Sequence, residues 1–189
     1  MSTRVRKPNE HHHSVIANII KHHKCEKIIE VGIWKSGLIK HIMSKHPVCY
    51  NIIKEYYAVD QWRYLGDGHG RMGERSQDNW DLIHLYACEM MVKWFPQLRV
   101  IRSDSAKAAS IFPDRYADLI YIDANHYYRH VMADIKAWLS KVKNNGLFMG
   151  HDYNEPNHTG VKQAVDEMFS EDGITFLRPS SIWIKKNES

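Results

Sequence analysis

Short apolar runs alternate with segments of helical apolar spacing along most of this 189-residue chain. The apolar runs predict buried strands at 27–31, 56–59, 98–101, 117–122 and 146–150. Helical spacing predicts helices at 14–20, 37–45, 79–95, 130–142 and 160–169. Two further short strands, 175–177 and 182–184, flank Pro179 closely enough to be antiparallel neighbours. Strands that alternate with helices build a parallel sheet covered on both faces, so the pattern predicts one α/β domain spanning residues 1–189.

Composition and charge narrow the class of protein. The chain is 43% hydrophobic and 25% charged, which is typical of a soluble globular domain. A formal charge of +4 without a long basic run gives no reason to expect a nucleic-acid surface. No run approaches the roughly 20 apolar residues that span a bilayer, and the N-terminus lacks the apolar core of a signal peptide. Three widely spaced cysteines argue against a disulfide framework. We therefore expect a cytoplasmic protein with no nucleic-acid or membrane partner. The sequence does not decide the oligomeric state, and a homo-oligomer is one of the alternatives.

Two of the predicted strands end in carboxylates and imidazoles. Asp123 and His126 follow the strand at 117–122, and His151 and Asp152 follow the strand at 146–150. Ligands of an open parallel sheet bind outside the carboxyl ends of its strands, so we expect these four side chains around one crevice. Each also has a structural interpretation, because aspartate commonly caps the turn after a strand and histidine often bridges backbone groups there.

The turn after the first strand indicates the class of cofactor. Gly32 and Gly37 do not form the G-x-G-x-x-G pattern of a dinucleotide site, because Trp34 stands where its second glycine would be. Glu30 would repel phosphates but attract an ammonium or a sulfonium group. Asp60, which ends the second strand, suits the paired hydroxyls of a ribose. A nucleoside with a cationic amino-acid tail meets these requirements, and S-adenosylmethionine is such a molecule.

On these residues the chain resembles the class I S-adenosylmethionine-dependent methyltransferases. It is similar to their compact group with the motifs I-D-x-x-H-x-Y, here Ile122–Tyr128, and G-H-D-Y, here Gly150–Tyr153. The resemblance covers almost the whole chain, from Ile28–Gly32 to Gly160–Glu167. It implies a Rossmann-like, mostly parallel sheet of seven strands with an antiparallel last strand.

The resemblance also implies where the cofactor would bind. Glu30 and Gly32 would line the methionine end, Asp60 would hold the ribose, and Ser103–Ser105 would meet the adenine. An alternative role for Asp104 is to cap a helix that begins at Ala106. The full set of predicted cofactor-binding residues is Glu30, Gly32, Gly37, Asp60, Gln61, Trp62, Ser103, Asp104, Ser105 and Asp123.

Related sugar and natural-product O-methyltransferases use a divalent metal held by acidic residues at the ends of the fourth and fifth strands. Those positions match Asp123, His151 and Asp152, which we predict as ligands for Mg²⁺ or Mn²⁺. The relatives carry two adjacent carboxylates where this chain has His151 and then Asp152, and a histidine ligand would favour a softer metal than Mg²⁺. The predicted catalytic residues are Asp123, His126 and His151, with His126 or His151 as the proton acceptor.

The predicted function is therefore metal-assisted O-methylation of a small hydroxylated acceptor, such as a sugar or a natural product. The Gly-rich loop 61–78 is predicted to bind the acceptor, and residues 1–12 are predicted to fray. The acceptor loop carries aromatic rings and hydrogen-bond donors at Trp62, Arg63, Tyr64, His69, Arg71 and Arg75. Two alternatives remain: a module that binds S-adenosylmethionine without catalysis, and a metal-dependent hydrolase, which would leave Glu30 and Asp60 unexplained.

Overall fold

The computed structural model describes residues 8–64 and 76–188. Its strands are β1 (Lys27–Val31), β2 (Glu55–Asp60), β3 (Leu98–Arg102), β4 (Ala117–Ile122), β5 (Val142–Gly150), β6 (Thr175–Leu177) and β7 (Ile182–Lys186). They form one seven-stranded sheet in the order β3-β2-β1-β4-β5-β7-β6. The pairs among β1 to β5 are parallel, whereas β7 runs antiparallel to both β5 and β6. The predicted fold class, including its antiparallel last strand, is confirmed.

Helices connect the strands and cover the sheet. They are α1 (Pro8–His23), α2 (Gly37–Lys45), α3 (Pro47–Ile52), α4 (Gln77–Met91), α5 (Ser105–Ala109), α6 (Tyr128–Trp138) and α7 (Thr159–Phe169). Short 3-10 helices occupy Val92–Trp94, Leu139–Lys141 and Glu171–Gly173. No helix in the two described ranges is both long and apolar enough to cross a membrane.

Alternate residues of β1 bury opposite faces of the sheet. Ile28 packs in one core with Ile16 of α1 and Ile39 of α2. Ile29 packs in the other core with Ile135 and Trp138 of α6. Because both faces of a parallel sheet are covered, its strands are apolar at almost every position. This burial explains why the strands could be predicted from short apolar runs.

The structure differs from the sequence predictions mainly at the ends of elements. Helix α1 begins at Pro8, inside the segment 1–12 that was predicted to fray, and residues 1–7 lie outside the described part. The predicted acceptor loop ends earlier than residue 78, because Ser76 caps α4 by accepting a hydrogen bond from the Asn79 N–H at 3.3 Å. Residues 65–75 of that loop lie outside the described residues.

The register of the sheet brings four strand ends to one edge. Val31 of β1 pairs with both Val59 and Ile122, and Ile122 pairs with Gly150 of β5. The residues that follow these positions therefore emerge side by side: Gly32, Asp60, Asp123 and His151.

Candidate active site

A cavity of about 880 Å³ opens at this edge of the sheet. Its size falls in the range of about 300–1,000 Å³ that small-molecule sites occupy. The predicted site residues that line the cavity are Gly32, Asp60, Gln61, Ser103, Asp104, Ser105, Asp123 and His126. One cavity therefore joins most of the predicted cofactor residues to two of the predicted catalytic residues.

The other predicted site residues lie outside the cavity lining. Glu30 is 3% exposed, and its carboxylate accepts a hydrogen bond from the Tyr56 hydroxyl at 2.5 Å. The side chain of Trp62 is fully buried. A Cβ atom on Gly37 would lie nearest to α1, 3.4 Å from Cε1 of His13. Contact of Glu30, Gly37 and Trp62 with a cofactor therefore stays a prediction.

Burial raises the pKa of Glu30 to about 8, against the effect of the hydrogen bond from Tyr56. The negative charges of Asp123 and Asp60 raise this pKa further. Glu30 is therefore mostly protonated at neutral pH. A cation bound nearby would favour its ionised form, because an opposite charge lowers the pKa of a carboxyl group.

Asp60 ties together the turns that follow β1 and β2. Its Oδ2 accepts a hydrogen bond from the Trp34 N–H and its Oδ1 from the Trp62 N–H, each at 2.9 Å. Both tryptophans have positive φ angles, 45° and 40°, which bulky residues seldom adopt. Burial raises the pKa of Asp60, although backbone N–H groups that donate to it oppose the increase. Each carboxylate oxygen has a second lone pair, so Asp60 can also accept hydrogen bonds from a ligand.

Gly32 allows the ends of β1 and β4 to pack closely. Its φ angle is +88°, and a Cβ atom there would lie 2.2 Å from the carbonyl oxygen of Asp123. No side chain fits at that separation. The cavity wall therefore depends on glycine at position 32.

The Ser103–Ser105 segment lines the cavity at the start of α5. Asp104 caps this helix by accepting a hydrogen bond from the Lys107 N–H at 3.1 Å, which is the structural role considered for it. Ser105 Oγ accepts a hydrogen bond from the indole N–H of Trp138 at 2.9 Å. Asp134 of α6 also lines the cavity and was not predicted from the sequence. Burial raises its pKa to about 7.

Asp152 lies at the centre of a cluster of histidines. Its Oδ2 is 2.8 Å from Nε2 of His126 and 3.3 Å from Nδ1 of His158. Its Oδ1 is 3.0 Å from Nδ1 of His151, and that nitrogen is 3.7 Å from Oδ1 of Asp123. The structure therefore brings all the predicted catalytic and metal-binding residues together and adds His158.

The pKa values of the two carboxyl groups in this cluster shift in opposite directions. Burial alone would raise the pKa of Asp152, but hydrogen bonds with His126 and His151 hold it well below its usual range. Burial raises the pKa of Asp123 to about 6. Burial opposes ionisation of His151, yet the adjacent Asp152 and Asp123 raise its pKa overall. Carboxylates with such different affinities are common where proton transfer or metal binding occurs.

Two groups of side chains in this cluster have the geometry of metal ligands. The ligand atoms of Asp123, His151 and Asp152 lie within 4.8 Å of one another, and so do those of His126, Asp152 and His158. Two atoms bound to one ion at about 2.1 Å can be at most about 4.2 Å apart, so contacts of 2.8 to 3.7 Å between these side chains fit. Carboxylate and imidazole donors both suit divalent cations.

His158 reaches the cluster because α7 begins against the loop that follows β4. A Cβ atom on Gly160 would lie 2.5 Å from the Tyr128 backbone nitrogen and 2.6 Å from the His126 carbonyl oxygen. This close approach stacks the rings of His126 and His158, with centroids 3.9 Å apart and an interplanar angle of 12°. In the sequence, the signal for His158 was only its place in the loop after β5.

On the predicted acceptor side, Arg63 and Trp80 line the cavity. Tyr64 is exposed, with 47% of its surface accessible to solvent. The other predicted acceptor residues of this loop, His69, Arg71 and Arg75, lie outside the described residues. An aromatic ring and a guanidinium group therefore line the same cavity as Asp123 and His126.

Comparison with known protein families and sequences gives two matches. A family model for the methyltransferase domain matches residues 29–153. The chain is also 27% identical over 156 residues to the uncharacterized protein y4gI of Sinorhizobium fredii. That match covers 82% of this chain, whereas the chain spans about 15% of the length of this curated relative.

Solved structures share the fold at low sequence identity. CalS11, a calicheamicin methyltransferase, has a TM-score of 0.71 and 12% identity, with 94% of this chain and 79% of that chain covered. The N-methyltransferase NodS from Bradyrhizobium japonicum has a TM-score of 0.63 and 10% identity, with 99% and 100% covered. The family model spans more than half of the chain. The chain therefore belongs to the methyltransferase domain family, and its resemblance to class I S-adenosylmethionine-dependent methyltransferases is confirmed.

Proposed function

We propose that this chain catalyses S-adenosylmethionine-dependent methylation of a hydroxyl group on a small acceptor, such as a sugar or a natural product. The observation that carries the proposal is the single cavity that Asp60 and Ser103–Ser105 line together with Asp123 and His126. CalS11, which shares the fold, is described as a TDP-rhamnose 3'-O-methyltransferase, and this supports a sugar as the acceptor.

The cofactor would bind between the turns that follow β1, β2 and β3. The fixed carboxylate of Asp60 would accept hydrogen bonds from the ribose hydroxyls, and Ser103–Ser105 would border the adenine. When bound, S-adenosylmethionine supplies a methyl group already activated on a sulfonium. The residues of this chain must therefore position the acceptor, exclude water and take up the acceptor's proton.

A divalent cation, Mg²⁺ or Mn²⁺, would bind to Asp123, His151 and Asp152. This donor set fits, because His151 Nδ1 lies 3.0 Å from Asp152 Oδ1 and 3.7 Å from Asp123 Oδ1, separations that two ligands of one ion can have. The ion would supply Lewis-acid polarisation, which makes an aliphatic hydroxyl group more acidic. The low pKa of Asp152 keeps this carboxylate ionised over the physiological range.

The proton acceptor would be an imidazole of the same cluster. His126 contacts Asp152 through Nε2, so its Nδ1 is the nitrogen that would hold the acceptor's proton. His151 contacts Asp152 through Nδ1, and its Nε2 is the alternative when Nδ1 carries the proton instead of binding the cation, because a neutral imidazole has one nitrogen lone pair. His126 lines the cavity, whereas His151 packs against the ring of His12 with centroids 4.3 Å apart, and this arrangement favours His126. In either case the carboxylate of Asp152 would stabilise the imidazolium that forms.

Cofactor binding is tested by calorimetry with S-adenosylmethionine and with its demethylated product, S-adenosylhomocysteine. We expect Asp60→Ala to weaken binding by about 1–3 kcal/mol, the scale of lost hydrogen bonds to a charged group. Asp118→Ala is the matched control, because Asp118 also accepts two backbone N–H bonds, from Glu26 and Lys27, but at the opposite edge of the sheet. Equal losses in both variants would mean that Asp60 acts only on the fold.

Catalysis is tested by the release of S-adenosylhomocysteine in the presence of candidate acceptors. The panel would contain nucleotide-linked sugars with free hydroxyl groups and the matching amino sugars, because NodS shows that this fold also carries N-methyltransferases. Methylation of a hydroxyl, lost in His126→Ala, is the expected result. Cofactor binding without turnover would favour the non-catalytic module, and metal binding without nucleoside binding would favour the hydrolase.

We also propose a cytoplasmic location and a small-molecule acceptor as the partner. Three free cysteine thiols in the described residues, Cys25, Cys49 and Cys88, support a reducing compartment. The size of the cavity supports a small acceptor.

A further inference from the structure

The two oxygens of Asp152 face different groups of side chains. Oδ1 faces His151 and Asp123, the set predicted from the sequence. Oδ2 faces His126 and His158, at 2.8 Å and 3.3 Å. One carboxylate therefore has an oxygen-rich neighbourhood on one side and a nitrogen-rich neighbourhood on the other.

The nitrogen-rich side has a ligand atom that lacks a hydrogen bond. Nδ1 of His158 is buried from solvent and makes no hydrogen bond in the described residues, because its 3.3 Å contact with Asp152 Oδ2 is too poorly aligned to be one. A buried polar atom without a partner is costly, so such atoms commonly mark a place for a water molecule or an ion. This nitrogen lies 3.3 Å from the negatively charged Oδ2 of Asp152 and within 4.8 Å of Nε2 of His126, which is an arrangement that a cation would stabilise.

Two of the three separations on this side come close to those between ligands of one ion. Two ligands at about 2.1 Å from an ion lie about 3.0–3.4 Å apart in octahedral or tetrahedral geometry. The contacts of Asp152 Oδ2 at 2.8 and 3.3 Å come close to this range. Both histidines line the cavity, so the remaining coordination positions of the ion would be open to ligands from the cavity.

We propose that His126, Asp152 and His158 form a second cation position, which binds a first-row transition-metal ion such as Co²⁺ or Zn²⁺ in preference to Mg²⁺. Two imidazoles and one carboxylate select such ions, whereas Mg²⁺ prefers a shell of oxygen atoms. The position shares Asp152 with the oxygen-rich set but needs neither Asp123 nor His151. An ion bound there occupies the Nε2 lone pair of His126, which leaves the ring proton on Nδ1, so His126 cannot hold the ion and accept a proton at the same time and His151 would then be the proton acceptor. The binding of the ion does not depend on the methyl transfer proposed above.

Metal binding is tested on the full chain with Co²⁺ as the probe, followed by its visible absorption spectrum and by calorimetry. We expect His158→Asn to weaken Co²⁺ binding at least about tenfold, because even residues that only orient metal ligands contribute about 10–100-fold to affinity. Asparagine at position 158 suits the residue before α7, since asparagine is a favourable helix N-cap, so this variant is expected to fold. A His158→Ala variant and thermal melts of both proteins check the fold.

Asp123→Asn is the matched variant for the other side of the cluster. We expect Asp123→Asn to keep the visible absorption of Co²⁺ bound on the nitrogen-rich side, whereas His158→Asn should remove this absorption. All proteins carry His22→Ala and His23→Ala, so that this neighbouring pair on α1 does not contribute to the signal. Excess Mg²⁺ is expected not to displace the ion.

Two results would overturn this proposal. The first is Co²⁺ affinity within about threefold of wild type in His158→Asn, a change too small for a lost ligand. The second is loss of the Co²⁺ signal in Asp123→Asn but not in His158→Asn, which would place the ion on the oxygen-rich side. Neither result bears on binding of S-adenosylmethionine, which is measured separately without metal.

Discussion

Asp134 offers a test of the electrostatics of the cavity. It is a buried carboxyl group whose pKa depends on burial, on Ser105 and on Asp104, and none of these supplies a positive charge. It is 5% exposed, and burial raises its pKa to about 7. A hydrogen bond with Ser105 opposes this increase, and the negative charge of Asp104 adds to it. Replacing Asp134 with asparagine keeps the shape and the capacity to hydrogen-bond but removes the titration.

The sign of the effect follows from the two pKa values. Asp134 has a reference pKa of 3.8 and a pKa of about 7 in the folded protein. Between these values the folded state binds a proton that the unfolded state lacks, so the free energy of unfolding falls as the pH rises. At 1.36 kcal/mol per pH unit the whole loss is at most about 4 kcal/mol, of which about 2–3 kcal/mol falls between about pH 5 and pH 8.

The assay is urea unfolding of the wild type and Asp134→Asn at about pH 5 and pH 8. We expect the variant to gain about 2–3 kcal/mol on the wild type between the two conditions, because other titrating groups cancel in the comparison. Asp114→Asn is the control, since Lys141 and Ser140 lower the pKa of Asp114, so this group is ionised in both states above about pH 5 and its variant should keep a constant difference from the wild type. A constant difference between Asp134→Asn and the wild type at both pH values would refute this account of Asp134.

Three further predictions concern stability and proton linkage. Hydrogen bonds from Tyr116 and other partners lower the pKa of Glu55 to about 2. Glu55→Gln should therefore lower the free energy of unfolding by about 1–2 kcal/mol at neutral pH, after allowance for solvent screening. Urea unfolding should show that this loss becomes smaller as the pH falls from about 4.5 to about 2. Gly32→Ala should lower the free energy of unfolding by more than about 2 kcal/mol, whereas Gly37→Ala, which meets only an ordinary contact, should change it by less than about 1 kcal/mol. Because the pKa of Glu30 is about 8, S-adenosylmethionine binding should release protons near neutral pH, so its calorimetric enthalpy should depend on the buffer in the wild type and not in Glu30→Gln.

The strands could be predicted from the sequence because they are buried on both faces. The prediction for β1 matches the structure at both ends, and so does the prediction for β4. Helix α3 was missed because it has only six residues, of which Cys49 alone is buried, and so short an element shows no apolar periodicity. Helix α1 extends beyond its predicted start, since the polar residues before Ser14 give no apolar signal.

The sequence predicted the site residues that lie at the ends of strands, but not those whose position depends on helix packing. Asp60 ends β2, Asp123 follows β4 and Asp152 lies two residues after β5, and the carboxyl ends of parallel strands meet at one edge of a sheet. Asp134 and His158 lie on or beside helices, and their places depend on how those helices pack. No pattern in the sequence states that α6 packs against α5 or that α7 begins beside the loop after β4.

The composition of the histidine cluster depends on one packing contact more than on the motifs themselves. The motif residues Asp123, His126, His151 and Asp152 would follow β4 and β5 in any chain with this sheet. His158 joins them only because Gly160 lets the start of α7 lie against the backbone of Tyr128 and His126. A larger residue at position 160 would push the start of α7 away from His126, and the contacts of His158 with Asp152 and His126 would be lost. The cluster would then contract to Asp123, His151 and Asp152, the set that the sequence alone predicts, and the difference between the two arrangements would lie in the metal that the chain selects.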